Sequence, residues 1–449
     1  MTPPLSPVRF DDAPPIARSI AREAAGGGLD VLLVRDILGR FALAVDDRGK
    51  HVQPQEVDRL QGRMSEELGL YAAPTAVVSA STLFVADALF DSPRAVRDPL
   101  WVPSADQGMI RLLDNTVVGE DWAHVRTPQK PPCGQGTTRT ALYGFKGGVG
   151  RSTATFLLAQ HLADRGRCVL VVDLDLESPG SGPLLVAEDQ FPQYGLVDHL
   201  VEDVLGNADG LDLVVRSSHV EVRGNGELWV APARGRGGDS DHGPYSYVDK
   251  LNRIYADGAG DVTKGFADRL DAAVVACERG VEERSRRPDV VLLDSRAGIH
   301  DIAAVAISRL ADLALLFGSD NAQTWTGYRD LFSAWLDSGQ AERIREKLRM
   351  VASMVPDATE RRDGYLESFR ENSWSTFSVL YDDLASDDPN GFNPSPEDRS
   401  APHAPVPILF TSELVGLDGV ASPGWSDWTF VQAAYRTFLE TTTRLILEG

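Results

Sequence analysis

The chain carries the run Phe145-Lys146-Gly147-Gly148-Val149-Gly150-Arg151-Ser152-Thr153 between a strand-like segment at 140–144 and a helix-like segment at 152–165. Glycines in a turn that leads from a strand into a helix allow backbone N–H groups to point inward around an anion. The N-terminus of the helix adds its dipole to this attraction. The run therefore predicts a loop that binds the phosphates of a nucleoside triphosphate.

Two further strand-like segments end in aspartate. The first is Val171-Val172-Asp173-Leu174-Asp175-Leu176-Glu177-Ser178-Pro179-Gly180, and the second is Val290-Val291-Leu292-Leu293-Asp294-Ser295-Arg296-Ala297-Gly298. Ligands of open α/β sheets bind at the carboxyl ends of the strands. Mg²⁺ takes one or two carboxylates together with phosphate oxygens and water. Three such strand ends therefore predict a magnesium–nucleotide site at one edge of a sheet.

In this combination and order, the motifs resemble those of the ParA/MinD group of P-loop ATPases, which have a deviant Walker-A loop. Lys146 matches the signature lysine of that loop, and DLDLESPG at 173–180 resembles the second aspartate motif of the group. DSRAGI at 294–299 resembles the MinD-type sequence DSPAGI, with Arg296 in place of proline. The resemblance covers the motifs between residues 138 and 320. It implies an α/β fold in which a mostly parallel sheet has helices on both faces.

The resemblance also implies roles for matching positions and implies ATP and Mg²⁺ as cofactors. Lys146 would reach across a nucleotide-sandwich homodimer to the phosphates of the partner subunit. Asp175, with Asp173 as the alternative, would position the attacking water, and Arg151 would stand where the group has a phosphate-binding lysine. The implied nucleotide-binding set is Gly147, Gly148, Val149, Gly150, Arg151, Ser152, Thr153 and, near the adenine ring, Asp320; the implied metal set is Ser152, Asp173 and Asp294.

Arg151 is the departure from the group. Arginine keeps the positive charge of lysine, but its planar head is larger and binds phosphate with a different geometry. One interpretation is compositional, because the chain has six lysines against 38 arginines. The other is that the site is retuned for slow hydrolysis or for sensing. The sequence leaves both open.

The distribution of apolar runs and of Pro and Gly predicts two domains. Residues 1–126 form a small α/β or α+β module of unknown role, 127–137 form a linker, and 138–449 form the P-loop domain with a loop-rich insertion near 357–405. Strands buried on both faces are apolar throughout, and this pattern predicts seven strands in the second domain, at 141–144, 169–173, 228–231, 290–294, 313–317, 350–355 and 406–410. In the first module the patterns predict helices at 15–25 and 56–70 and strands at 31–34, 41–45, 75–79, 100–102 and 110–113.

The net charge of −22 lies mostly in the part that carries the phosphate loop. Residues 1–135 hold 14 Lys and Arg against 18 Asp and Glu, which gives −4, and residues 136–449 hold 30 against 48, which gives −18. Non-specific DNA binding needs a positive surface, so we expect none. We also expect no membrane span and no secretory signal. Three cysteines without a CxxC pair fit a reducing cytosol, so we expect a cytoplasmic protein.

These observations favour an ATP-binding and ATP-hydrolysing switch that depends on Mg²⁺. Its nucleotide-sandwich homodimer would control an unidentified partner protein. The alternative is a nucleotide-binding sensor with little or no hydrolysis because of Arg151. A group-transfer enzyme on the same fold is a third class, but no second-substrate constellation is evident in the sequence.

Overall fold

The computed structural model of the protein describes residues 8–49, 52–92, 94–115, 122, 125, 136–237, 245–255, 265–384, 391–416, 422 and 424–448. The chain divides into two compact units, Met1–Glu120 and Asp121–Gly449. The predicted linker at 127–137 lies outside the described residues except for its last two positions. The domain limits at 126 and 138 therefore stay a prediction.

The first unit is a small α/β arrangement, as its sequence patterns predict. Its sheet has the strand order β3-β2-β1-β5-β4, in which β1 runs antiparallel to β2 and parallel to β5. Alternate residues of the strands face two small cores, one with the first two helices and one with the third. The elements are α1 (Ala13–Gly26), β1 (Asp30–Arg35), β2 (Phe41–Asp46), α2 (Pro54–Leu68), β3 (Ala72–Ser79), α3 (Ala86–Phe90), β4 (Val96–Arg97) and β5 (Ile110–Asp114).

The strand predicted at 100–102 is wrong. The edge strand is β4, which pairs antiparallel with β5. Leu100 and Val102 are 66% and 88% exposed, whereas the indole of Trp101 donates a hydrogen bond to the carbonyl of Gly108 at 2.9 Å. The apolar residues on either side of Trp101 produced the strand prediction, but of these three residues only the tryptophan side chain packs inward.

The second unit contains an eight-stranded sheet in the order β13-β12-β11-β6-β10-β7-β9-β8. Every neighbouring pair is parallel except β8 and β9. All seven predicted strands are present, and β8 is additional. The strands are β6 (Thr138–Gly144), β7 (Cys168–Asp173), β8 (Val215–Arg216), β9 (Glu227–Ala231), β10 (Val290–Asp294), β11 (Leu313–Gly318), β12 (Leu348–Val355) and β13 (Val406–Leu409).

Helices cover both faces of this sheet, which confirms the predicted fold class. Leu142 of β6 faces the core built with α4 and α13, whereas the next residue, Tyr143, faces the core built with α8 and α10. None of the described helices is long and apolar enough to cross a membrane. The helices are α4 (Arg151–Asp164), α5 (Ser181–Leu185), α6 (Leu196–Val204), α7 (Tyr247–Leu251), α8 (Phe266–Arg284), α9 (Asp301–Val305), α10 (Ala322–Asp337), α11 (Ala341–Arg345), α12 (Thr359–Phe377) and α13 (Thr429–Glu448).

The predicted loop-rich insertion at 357–405 is wrong for its first half, which is the helix α12. The prediction failed because only four residues of α12 are fully buried and two of them, Ser373 and Thr376, are polar. The second half is also tied to the domain where it is described. Tyr381 and His403 are buried with 2.8 Å between the phenolic oxygen and Nδ1, and Ser373 of α12 donates to the carbonyl of His403.

Gly327 of α10 packs directly on the first residue of the phosphate loop, and a Cβ there would overlap the ring of Phe145. Alanine is normally better than glycine inside a helix by about 1 kcal/mol, but overpacking costs about 1–3 kcal/mol. We expect Gly327→Ala to lower the free energy of unfolding by about 1–2 kcal/mol in urea denaturation.

The matched control is Gly364→Ala in α12, where a Cβ meets nothing within 4 Å. This change should raise the free energy of unfolding by up to about 1 kcal/mol. An equal gain in both variants would contradict a close contact between α10 and the phosphate loop.

Candidate nucleotide-binding site

The loop at 145–150 leads from the carboxyl end of β6 into α4. Gly148 and Gly150 both have a φ of 76°, which lies in the left-handed region where a Cβ is unfavourable. Val149 buries its side chain in the core beneath the loop, so it can serve a ligand only through its backbone. Gly147 and Gly148 are exposed and have no atom within 4 Å of an added Cβ. The loop therefore presents a bare backbone at the edge of the sheet.

The guanidinium of Arg151 lies between two of the predicted carboxylates. Its Nε donates to Oδ1 of Asp294 at 2.7 Å, and its Nη2 donates to Oδ2 of Asp175 at 3.0 Å. The side chain of Arg151 is 9% exposed and that of Asp294 is fully buried. The structure thus brings three predicted site residues together in a buried ion-pair triad. Because Arg151 points at the carboxylates, its predicted phosphate contact stays a prediction.

Burial opposes the charges of Arg151 and Asp175. Burial would lower the pKa of Arg151, but the ion pairs with Asp294 and Asp175 outweigh it and raise that pKa. Burial raises the pKa of Asp175, and the charge of Arg151 works against this effect. The guanidinium therefore stays charged and keeps two partly or fully buried carboxylates compensated.

Asp173 lies beside the triad at the end of β7. Its Oδ2 accepts the N–H of Gly182 at 2.8 Å, and its Oδ1 accepts the N–H of Asp175 at 3.3 Å. Complete burial, followed by the negative charge of Asp294, raises the pKa of Asp173. Both of its oxygens hold the loop that follows β7. The predicted role of Asp173 as a metal ligand stays a prediction, and Asp294 is better placed for it.

Asp294 has an oxygen to offer a cation. Its Oδ2 is buried and accepts no hydrogen bond from the described residues. The hydroxyl of Ser152, in the first turn of α4, faces Gly180, where an added Cβ would lie 3.2 Å from Oγ. In the described part of the chain, no group of three or more His, Cys, Asp or Glu could hold a metal ion. These residues therefore fit Mg²⁺ only in the form that phosphate oxygens and water complete.

The three motifs fall within one matched segment. A family model described as the CobQ/CobB/MinD/ParA nucleotide binding domain matches residues 140–361. This segment belongs to that domain family. The resemblance to ParA/MinD-type P-loop proteins is thereby confirmed. No curated protein matches the chain significantly.

Several solved structures are similar to the chain at low identity. Cobyrinic acid a,c-diamide synthase from Mycobacterium smegmatis, with bound ATP analog and magnesium, is 17% identical, with 69% of this chain and 95% of that chain covered and a TM-score of 0.41. The cell division ATPase MinD from Pyrococcus furiosus is 18% identical, with 69% and 100% covered and a TM-score of 0.40. A plasmid partition protein from Borrelia burgdorferi is 14% identical, with 70% and 100% covered and a TM-score of 0.36.

In this CobQ/CobB/MinD/ParA domain, the signature lysine lies apart from the carboxylates. The Nζ of Lys146 donates to the side-chain oxygen of Gln323 in the first turn of α10. Both residues line an open cleft of about 360 Å³, together with Phe145, Thr326 and Asp330. The sequence had no signal for Gln323, because a polar residue at the exposed start of a helix is unremarkable by itself.

Asp320 follows β11, and its carboxylate is engaged inside the domain. It accepts hydrogen bonds from Trp325 at 2.7 Å, Ser368 at 2.6 Å and Asn372 at 3.0 Å. These contacts join the turn after β11 to α10 and α12. The predicted contacts of Asp320 with adenine, and of the half-buried Thr153 with phosphate, stay predictions.

The triad makes a stability prediction for Arg151→Met, which leaves Asp294 and Asp175 without their cation. Removing one partner of a buried ion pair costs about 3–5 kcal/mol. We expect the free energy of unfolding to fall by about 3 kcal/mol in urea denaturation at neutral pH.

The control is Arg223→Met, because the side chain of Arg223 is 70% exposed and pairs with Asp427 at 3.1 Å. An exposed pair contributes at most about 1 kcal/mol, so this variant should stay close to the wild type. Similar losses in both variants would refute the buried character of the triad.

Proposed function

We propose that the chain binds Mg²⁺ and ATP at this site, hydrolyses ATP, and uses the bound nucleotide to close a homodimer that controls a partner protein. The observation that carries the proposal is a convergence at the carboxyl edge of one parallel sheet. There the bare glycine loop meets Asp175 and Asp294, whose side chains lie within 3.0 Å of the same guanidinium. The family of the domain supports nucleotide binding.

Each group has a separate task in this proposal. Mg²⁺ and ATP supply the phosphoanhydride bond and the charge neutralisation that phosphoryl transfer needs. The N–H groups of the loop at 147–150 would surround the phosphates. The hydroxyl of Ser152 and the Oδ2 of Asp294 would hold the metal ion, and the carboxylate of Asp175 would accept a hydrogen bond from the attacking water.

Arg151 has to exchange partners in this mechanism. It occupies one oxygen of each of the two carboxylates that must face the ion and the water. A phosphate group can accept two hydrogen bonds from one guanidinium. A bound nucleotide would therefore offer Arg151 an alternative partner to the two carboxylates. Asp294 would then keep a positive charge beside it only if its Oδ2, which has no hydrogen-bond donor among the described residues, held the metal ion.

The homodimer is supported by the position of Lys146. Its ammonium is held by a neutral side-chain amide, and a charged phosphate is a stronger acceptor than an amide. The neighbouring residues Gly147 and Gly148 leave open space beside it. Lys146 is therefore free to move to the phosphates of a second subunit at small cost.

The ion pairs of Arg151 also support the alternative, a sensor with little or no turnover. If Arg151 keeps both carboxylates when the nucleotide binds, Asp175 remains engaged and does not orient water. The nucleotide would then bind through the loop and Ser152 without being cleaved. Both the switch and the sensor require ATP binding, and only the switch requires ATP hydrolysis.

Four proteins test the proposal: the wild type, Lys146→Ala, Asp175→Asn and the control Arg361→Ala, which alters an exposed residue of α12. We expect Mg²⁺-dependent ATP hydrolysis by the wild type and the control. The two site variants should lose turnover by about a hundredfold or more. Mass measured in solution should double with ATP in the wild type and remain monomeric for Lys146→Ala.

Each alternative has its own result. Tight ATP binding by a wild type that does not turn over would replace the hydrolysing switch by the sensor. The absence of ATP binding would overturn both. Turnover by a wild type that stays monomeric would keep the ATPase and remove the cross-subunit role of Lys146.

A further inference from the structure

The loops that carry Asp175 and Asp294 are joined by Arg151 and by the hydrogen bond from the N–H of Leu174 to the carbonyl of Asp294 at 3.0 Å. They are joined again two residues beyond each aspartate. Glu177 follows β7, and its Oε2 forms an ion pair with Nη1 of Arg296, which follows β10, at 2.6 Å. The Nε2 of His300 lies 3.4 Å from the Oε1 of Glu177. The hydroxyl of Tyr255 donates to the same oxygen at 3.4 Å. The carboxylate of Glu177 thus contacts three polar side chains from two other segments of the chain.

The partners of Glu177 are themselves held in place. The Nδ1 of His300 accepts the N–H of Ile302 at 3.4 Å, so its Nε2 is the nitrogen that carries the proton toward Glu177. The ring of Tyr255 packs on Phe266 with 4.7 Å between centroids and lies 5.9 Å from the ring of His300. The partners of Glu177 are therefore held in a defined arrangement by their own contacts.

The residue between the two carboxylates is also anchored. Leu176 has a fully buried side chain, and its carbonyl accepts the hydroxyl of Tyr247. Asp175 itself accepts the N–H of Ser178 on its carbonyl at 3.2 Å. The backbone that carries Asp175 is thus fixed on its C-terminal side by contacts that no nucleotide-binding residue makes.

We propose that Glu177 and Arg296 are positioning residues, which hold the carboxylate of Asp175 in register with Asp294 for the attack of water. This inference rests on the proposed ATP hydrolysis. Arg151 links the two aspartates from the side of the phosphate loop, and Glu177 with Arg296 links their loops from the opposite end. When Arg151 exchanges its partners, the pairing of β7 with β10 remains, and the link from Glu177 to Arg296 holds the two loops beyond the ends of those strands.

The exposure of the pair separates this role from a purely structural one. The side chains of Arg296 and Glu177 are 33% and 22% exposed, although the paired Oε2 of Glu177 is itself buried, and a partly exposed ion pair contributes little to stability. Its loss should therefore leave the fold and the phosphate-binding loop intact. A small displacement of Asp175, however, acts directly on the rate of the chemical step.

The test measures ATP hydrolysis, ATP binding and thermal unfolding for Glu177→Gln, Arg296→Met, the double variant and Arg296→Lys. We expect kcat to fall by about tenfold or more in each neutralising variant, with KM within about twofold. The double variant should be no worse than the worse single one, because the two residues act as one pair. Arg296→Lys should recover part of kcat, because it restores the charge.

The matched control is Arg253→Met, which breaks the nearby exposed ion pair of Arg253 with Asp249 and should leave kcat unchanged. Unchanged kcat in the Glu177 and Arg296 variants of a hydrolysing wild type would overturn the positioning role alone. Additive losses, or losses that follow a lower unfolding temperature, would overturn it as well. A wild type that binds ATP without hydrolysing it would remove this role together with the proposed hydrolysis.

Discussion

A buried guanidinium between two carboxylates is the interaction on which the rest of the site depends. Asp294 and Asp173 are fully buried, and such carboxylates are costly unless a cation or hydrogen bonds compensate them. Asp173 is compensated by two backbone N–H groups, and Asp294 by Arg151. Because Arg151 is the first residue of α4, this ion pair also fixes the start of the helix that completes the phosphate loop. The charge balance at this edge of the sheet and the geometry of the phosphate loop therefore depend on the same residue, Arg151.

Local patterns were enough to predict most of the second domain. β10 is apolar at every position before Asp294, as a strand buried on both faces requires, and the positive φ of Gly148 and Gly150 explains why glycines stand there. The orientation of Arg151 was beyond such reasoning. Its long side chain can reach phosphates or carboxylates, and the choice depends on how deeply Asp294 is buried, which the sequence does not encode locally.

Other features escaped prediction for related reasons. Only four residues of α12 are fully buried, so the helical periodicity of apolar residues is weak in this segment and did not indicate a helix. The carboxylate of Asp320 satisfies donors on α10 and α12, and no short motif links those helices. The pairing of Glu177 with Arg296 has no local signal in the sequence, since it exists only once parallel strands bring the two loops to one edge.

The two cations of the phosphate loop are restrained to very different degrees, and this difference shapes the proposed switch. Lys146 rests on a neutral amide at a half-exposed position, so moving it to phosphate releases a weak contact. Arg151 is held by two carboxylates in a largely buried site, where opposite charges interact more strongly than in water. Separating the Arg151 guanidinium from the two carboxylates costs free energy unless another cation takes its place. In the proposed switch, binding of the metal ion would therefore govern the chemistry, and the contact between subunits would be adjusted separately through Lys146. Replacing lysine by arginine at the end of the loop would then slow entry into the active state without removing the charge that the phosphates need.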